Sequence, residues 1–320
     1  MSRLAAINGG KSAADPKIDG GKSAAAPNRL HDYAMIAKPR LSLLVLLTTV
    51  VGFYFGSGAH ISFQLLLETL FGTALVAMGS GALNQCIERH SDKIMHRTED
   101  RPLPSGRLSY GEVLYFGVAA SIAGILYLAI WLNEETAIIA SLTLMLYVFV
   151  YTPLKRVSSL NTLVGAVPGA LPPLIGYAAA RGELDWPAYT LFAIIFVWQL
   201  PHFLAIAWLY RKEYAEAGLR MLPNDDPDGY STGMQIFVHA LTLLPLSILP
   251  AQQFGILGSQ RFIQFAGPLY EVGALILGLV FLGSAIGFLI KRNDAAARKV
   301  FFSSVIYLPL LLSLMMFDSK

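Results

Sequence analysis

Charged side chains are scarce in this chain and cysteine is all but absent. Asp, Glu, Lys and Arg make up 14% of the 320 residues while 55% are hydrophobic. Soluble domains carry roughly a quarter of their residues as charges, so an ordinary soluble domain is excluded. A single cysteine, Cys86, excludes an internal disulfide and with it a stapled extracellular module. Its setting inside a polar motif points to packing rather than reactivity. Residues 1 to 28 lack the continuous apolar run of a secretory signal and the arginine-rich amphipathic pattern of a transit peptide. They carry GGKSAA twice, at Gly9 and at Gly20, and cannot bury a core. A disordered cytosolic tail, 1–28, is expected ahead of one membrane domain, 29–320. The net charge of +3 says little by itself, and no nucleic-acid partner is expected.

What the sequence has in abundance is apolar runs of membrane-crossing length. Nine are read, at 41–58, 64–88, 111–132, 136–153, 160–180, 187–209, 233–254, 269–290 and 299–317. The fold class is therefore all-α, a polytopic membrane protein with nine transmembrane helices in contact with the lipid bilayer. The fifth run holds Pro168, Pro172 and Pro173 among glycines, which predicts a kinked helix beside a cavity or close neighbours. Alternating the loops places 21 of the 24 Lys and Arg residues on one side and only Arg181, Arg261 and Lys320 on the other. The positive-inside rule then sets the N-terminus inside and the C-terminus outside.

The densest charge lies between two of these runs, in NQCIERHSDKIMHRTEDRPLPSGR, Asn84 to Arg107. If the second helix continues through Asp92, then Asn84, Glu88 and Asp92 recur every four residues and share one face. Oxygen ligands of this kind suit Mg2+, which takes one or two carboxylates and completes its shell with water and phosphate oxygens. Arg97 and Arg101, with Arg107 beyond, supply guanidinium forks matched to phosphate. Orientation alone accounts for the arginines but not for a spaced amide, glutamate and aspartate at the end of an apolar helix. A second inside loop, YTPLKR, brings Lys155 and Arg156 to the end of the fourth span, where they either anchor it or supplement the phosphate site. A third, Trp198 to Gly229, holds Lys212 and Glu213 at the end of the sixth span. Some nine residues deeper is His202, preceded by Pro201. A histidine inside an apolar helix either serves a site, by haem contact or proton transfer, or satisfies a carbonyl freed by the proline.

The first motif, with Asn84, Glu88, Asp92, Met95, Arg97, Thr98, Arg101, Pro102, Leu103 and Pro104, resembles that of the protohaem IX farnesyltransferases, or haem O synthases, a branch of the UbiA-type intramembrane prenyltransferases. The third loop is similar to the same branch in Trp198, Gln199, Pro201, His202, Phe203 and Trp208, then Lys212, Glu213, Tyr214, Ala217, Gly218, Met221, Leu222 and Pro223. The likeness spans roughly residues 30 to 317. Quinone-directed members carry a second Asp-x3-Asp pair in the later loop. It is missing here, which points to haem B as acceptor and leaves Glu213 as the lone second-loop metal ligand, beside Lys212 on the diphosphate.

The resemblance implies helices ringed around a central cavity open sideways to lipid, with cytosolic cap loops holding Mg2+ and the diphosphate of farnesyl diphosphate. It implies farnesyl transfer to a haem B vinyl group, giving haem O for haem-copper oxidase assembly in the bacterial inner membrane. A downstream haem-modifying enzyme or oxidase assembly factor is the natural partner. Two other readings are a sibling prenyltransferase acting on a quinone precursor or chlorophyllide, and a secondary transporter. The transporter would need its essential charges at the midplane.

Overall fold

A computed structural model describes residues 29–58, 60–252 and 264–319. The tail 1–28 and two of the three outer basic residues, Arg261 and Lys320, lie outside the described residues. Within lipid every backbone amide must find its partner inside its own segment, so apolar runs of this length become helices. Thirteen are labelled in chain order: α1 (Arg29–Ile36), α2 (Pro39–Ser57), α3 (Phe63–Ile94), α4 (Tyr110–Trp131), α5 (Glu134–Met145), α6 (Thr152–Leu154), α7 (Asn161–Ala170), α8 (Pro172–Arg181), α9 (Trp186–Leu209), α10 (Arg211–Glu216), α11 (Tyr230–Ile248), α12 (Pro268–Lys291) and α13 (Asp294–Phe317). A π-helical segment, Leu146–Tyr151, joins α5 to α6.

Among the described residues eight helices or helix runs are long and apolar enough to cross a membrane, and the pair α1 and α2, bent by 52°, gives the ninth. The chain is an integral membrane protein. Its fourth span runs through α5, the π segment and α6, and its fifth through α7 and α8. The fifth breaks at Leu171, where Pro172 and Pro173 follow and neither can donate to the preceding turn. Gly182, at φ 78°, closes α8 in the left-handed conformation that glycine adopts without penalty.

Small residues let these helices approach closely, as expected where lipid supplies no hydrophobic drive for helix association. A Cβ on Gly52 of α2 would lie 1.8 Å from the carbonyl oxygen of Pro173, and one on Gly176 would lie 1.9 Å from that of Thr49. The backbones of α2 and α8 therefore touch, and α3 meets α4 in the same way at Gly79 and Gly117. One apolar core gathers side chains of α9, α11, α12 and α13, and a second gathers those of α3, α5 and α8. Between them α2, α3, α5, α7, α8 and α9 enclose a cavity of about 240 Å³.

Candidate active site

The cavity has an almost wholly apolar wall. Val45 of α2, Val76 and Ala77 of α3, Ile175 of α8 and Phe203 of α9 contribute to it, with Pro168 and Pro172 from the broken span. The proline break predicted from sequence thus faces a cavity, one of the two settings in which such a break is tolerated. Leu41 of α2 and Phe203 of α9, both on this wall, are also 45% and 38% exposed.

Lys38 is the charged residue on this wall, and next to it lies a polar cluster whose other members are not themselves on the wall. Helix α3 runs unbroken to Ile94, so Asn84, Glu88 and Asp92 do stack on one face, all three buried. Each is met by a cation from a different part of the chain. Lys155 Nζ bonds Glu88 Oε1 at 2.6 Å, with the two side chains only 13% and 10% exposed. Arg101 Nη1 bonds Asp92 Oδ2 at 2.7 Å. Lys38 Nζ donates to Asn84 Oδ1, whose Nδ2 donates to Thr152 Oγ1 at 3.0 Å. Arg156 reaches Ser91 Oγ at 3.2 Å, one residue from Asp92.

Lys38 is absent from the residues singled out by sequence, because a lone lysine ahead of a first span looks like an orientation signal. It holds a left-handed backbone, φ 48°, which costs a residue with a side chain about 1–3 kcal/mol and persists only where the surroundings fix it. Gln85 Nε2 donates to the Ile36 carbonyl at 3.0 Å and Ser42 Oγ to the Ala37 carbonyl at 2.8 Å, holding the bend on both sides. The result aims Lys38 into the cavity, whose wall it shares. Its side chain is largely withdrawn from solvent. Lys155 is buried too, but Tyr151 and Glu88 outweigh that burial and hold it above the ordinary lysine range. Its ammonium lies 4.3 Å from the Tyr151 ring centroid, and Tyr147 and Tyr151 both line the cavity.

Arg97 stands on the same loop as Arg101 but faces the third loop. Its Nη2 donates to Tyr214 Oη at 2.7 Å, and its guanidinium lies over the Tyr210 and Tyr214 rings at 5.1 and 5.3 Å. That contact ties the first motif to the third loop. A small void of about 50 Å³ runs from Tyr214 and Met221 to Tyr151 and Phe203 on the cavity wall.

Four residues singled out in the sequence stand differently from expectation. Arg107 does not turn to the cap. Its Nε bonds Asp32 at 2.8 Å and its Nη2 the Asp100 carbonyl at 2.7 Å, so it fastens α1 across the loop. Lys212 is exposed on α10 and stays apart from the buried cations. Among the described residues no three Asp, Glu, His or Cys side chains converge as a metal cluster, so Glu213 is not gathered with Glu88 and Asp92. Glu213 Oε2 is buried without a hydrogen bond, and so is Asp92 Oδ1. His202 is absent from the cavity wall. It turns toward α13, where Nδ1 meets Ser304 Oγ at 2.7 Å, so its partner is a hydroxyl and not a carbonyl freed by Pro201.

Asp92 and Glu88, one turn apart, with one carboxylate oxygen lacking any partner, fit a magnesium ion that brings its own phosphate ligands; they do not make a cage complete without them.

The comparisons with known proteins agree with this architecture. Curated relatives called protoheme IX farnesyltransferase occur in Solibacter usitatus, 47% identical over 90% of this chain and 99% of the relative, and in Koribacter versatilis, 40% identical over 90% and 93%. Another from Salinibacter ruber is 43% identical over 90% and 99%. Among solved structures, that of a digeranylgeranylglyceryl phosphate synthase superposes with a TM-score of 0.75 at 19% identity, over 91% of this chain and 98% of the other. A UbiA homolog from Archaeoglobus fulgidus bound to GPP and Mg2+ superposes with a TM-score of 0.59 at 16% identity, over 89% and 99%, a likeness of fold. The model of the UbiA prenyltransferase family matches residues 45–306, and with a buried cation and carboxylate cap over an apolar cavity this chain belongs to that family.

Proposed function

We propose that this chain transfers the farnesyl group of farnesyl diphosphate to a vinyl group of protohaem IX, haem B, giving haem O. The observation that carries the reading is the junction of two opposite environments, an apolar cavity and, joined to it through Lys38, the basic side chains of Lys155 and Arg101 around the buried carboxylates Glu88 and Asp92, with the exposed Arg97 on the same loop as Arg101. An isoprenoid tail fits the first and a diphosphate the second. Near full-length relatives of the same name support the choice of farnesyl and haem.

The allylic C–O bond breaks with its electron pair leaving on the diphosphate. Lys38, Lys155, Arg97 and Arg101 would stabilise that growing negative charge, most strongly where water is excluded. Glu88, Asp92 and Asn84 would hold Mg2+, which supplies further positive charge to the leaving group. The vinyl π electrons form the new C–C bond, water adds to the cation left on the porphyrin side, and a proton departs. Tyr147, Tyr151 and the apolar wall keep water from the farnesyl cation before the vinyl reaches it. The cap lies on the cytosolic side, with the N-terminus inside and the C-terminus outside, in a bacterial inner membrane. A haem-modifying enzyme or oxidase assembly factor takes the product.

The charges favour this over a transporter, since the conspicuous buried carboxylates, Glu88 and Asp92, lie within two turns of the end of α3. The test is mass analysis of haem from cells lacking their own enzyme and supplied with this chain. Haem O is expected. Haem B alone, with the protein present in the membrane, overturns the reading, and a prenylated quinone precursor or chlorophyllide moves the chain to a sibling activity.

A further inference from the structure

The His202 imidazole is held more firmly than a helix tie requires. Its ring is sandwiched between Trp198 and Phe301, with centroids 5.2 Å away on each side and interplanar angles of 19° and 26°. Phe203 meets it edge-on at 5.4 Å. Ser304 Oγ donates its one proton to the Phe301 carbonyl at 2.6 Å, so at its 2.7 Å contact with His202 the serine accepts and Nδ1 carries the hydrogen. That fixes the tautomer. Nε2 is left with an unshared pair, has no hydrogen bond among the described residues and is not sealed from the surface. An imidazole whose Nδ1–H is anchored and whose Nε2 is bare is the arrangement in which histidine binds a metal.

The surroundings narrow the metal's carrier. Phe203 of α9 and Phe302 of α13, 38% and 59% exposed, offer aromatic surface, and Phe203 also lines the cavity. One turn toward the cap end of α13 is Arg298, exposed and without an acidic partner among the described residues. An iron centre, a flat apolar ring and carboxylates at its edge would meet Nε2, the phenyl rings and Arg298 in turn.

We propose that the tetrapyrrole acceptor docks on the face between α9 and α13 with its iron ligated by His202 Nε2 and a propionate on Arg298. This rests on haem being the acceptor, as argued above. It sets the porphyrin beside Phe203, which meets His202 on this face and also lines the cavity, and makes His202 a positioning residue.

The full-length protein in lipid nanodiscs, without farnesyl diphosphate, is titrated with ferric protohaem and with metal-free protoporphyrin IX. The wild type should give the Soret band of a histidine-ligated haem and, when reduced, an iron–histidine stretch by resonance Raman. His202→Gln should lose both and weaken haem binding by about tenfold or more. Its affinity for metal-free porphyrin should stay at the wild-type value. Imidazole added to His202→Gly should restore the spectrum, and Arg298→Gln should weaken both porphyrins alike. An unchanged haem spectrum in folded His202→Gln overturns the proposal, as does a wild type with no iron–histidine stretch, a measurement that needs no variant. Haem O production by the wild type in either case leaves the farnesyl-transfer reading standing, whereas its absence removes that reading whatever the spectra show.

Discussion

Lys155 and Glu88, 67 residues apart in sequence, meet at 2.6 Å with both side chains almost closed to solvent. The pair balances two charges that would each be costly alone, and it holds the cation beside the cavity before any substrate arrives.

Replacing one partner separates these roles. Lys155→Met should lower kcat by about 10²–10³, the usual cost of removing one preorganised group that stabilises transition-state charge. Glu88→Gln should cut turnover by a comparable factor if it also removes the magnesium ligand proposed above. In the double variant the melting temperature should recover above either single variant while turnover stays low. Recovery of both together would make the pair structural only.

Arg97 is tested through its fork. Arg97→Lys keeps the charge but loses the planar pair of donors, and KM for farnesyl diphosphate should rise by about tenfold. Tyr214→Phe removes the phenol that positions Arg97, a bond worth about 0.5–1.5 kcal/mol, so its effect should be smaller and in the same direction. Equal KM values in all three proteins would leave Arg97 as an orientation signal.

Arg107 should behave differently from its neighbours. Arg107→Gln leaves Asp32, 2% exposed, with an unmatched charge, and thermal unfolding should report a loss of about 1–3 kcal/mol. Activity per folded molecule and KM for farnesyl diphosphate should match the wild type. A raised KM would return Arg107 to the diphosphate.

Asp226 gives a pH signature. It accepts from the amides of Ser231 at 3.2 Å and Thr232 at 2.7 Å, capping the first turn of α11. Burial raises its pKa, but the Thr232 and Ser231 amides outweigh this and hold it below the ordinary carboxylate range. A depressed carboxylate stabilises the fold above its unfolded pKa of about 3.9 and loses that contribution as pH falls through the folded value. Asp226→Ala should therefore cost about 1 kcal/mol near neutrality, and the deficit should shrink below about pH 4. A deficit independent of pH would mean the carboxylate's charge is not what matters.

The helices were legible because each crossing must be a continuous apolar run, and even the break at Leu171 announced itself through Pro172 and Pro173. The face shared by Asn84, Glu88 and Asp92 followed from helical spacing once α3 was long enough to include them. Partners across long separations were not legible. Nothing near Arg107 in sequence marks Asp32, and nothing near His202 marks Ser304, 102 residues later. Lys38 was hidden because its role depends on a left-handed bend that Gln85 and Ser42 impose from outside.

The π segment at Leu146–Tyr151 gives the cap a dependence on chain length. One residue more than an α-turn needs is wound in there, and Thr152 Oγ1 bonds back to the carbonyl of Tyr147, five positions earlier, at 2.7 Å. Everything after it is out of phase with α5 by about 100° relative to a regular helix. Lys155 faces Glu88 because of that offset. Deleting Phe149 or Val150, both exposed, would leave Tyr147, Tyr151 and Lys155 in the chain, yet swing Lys155 away from α3. The cation's address is written in how many residues precede it as much as in which ones they are.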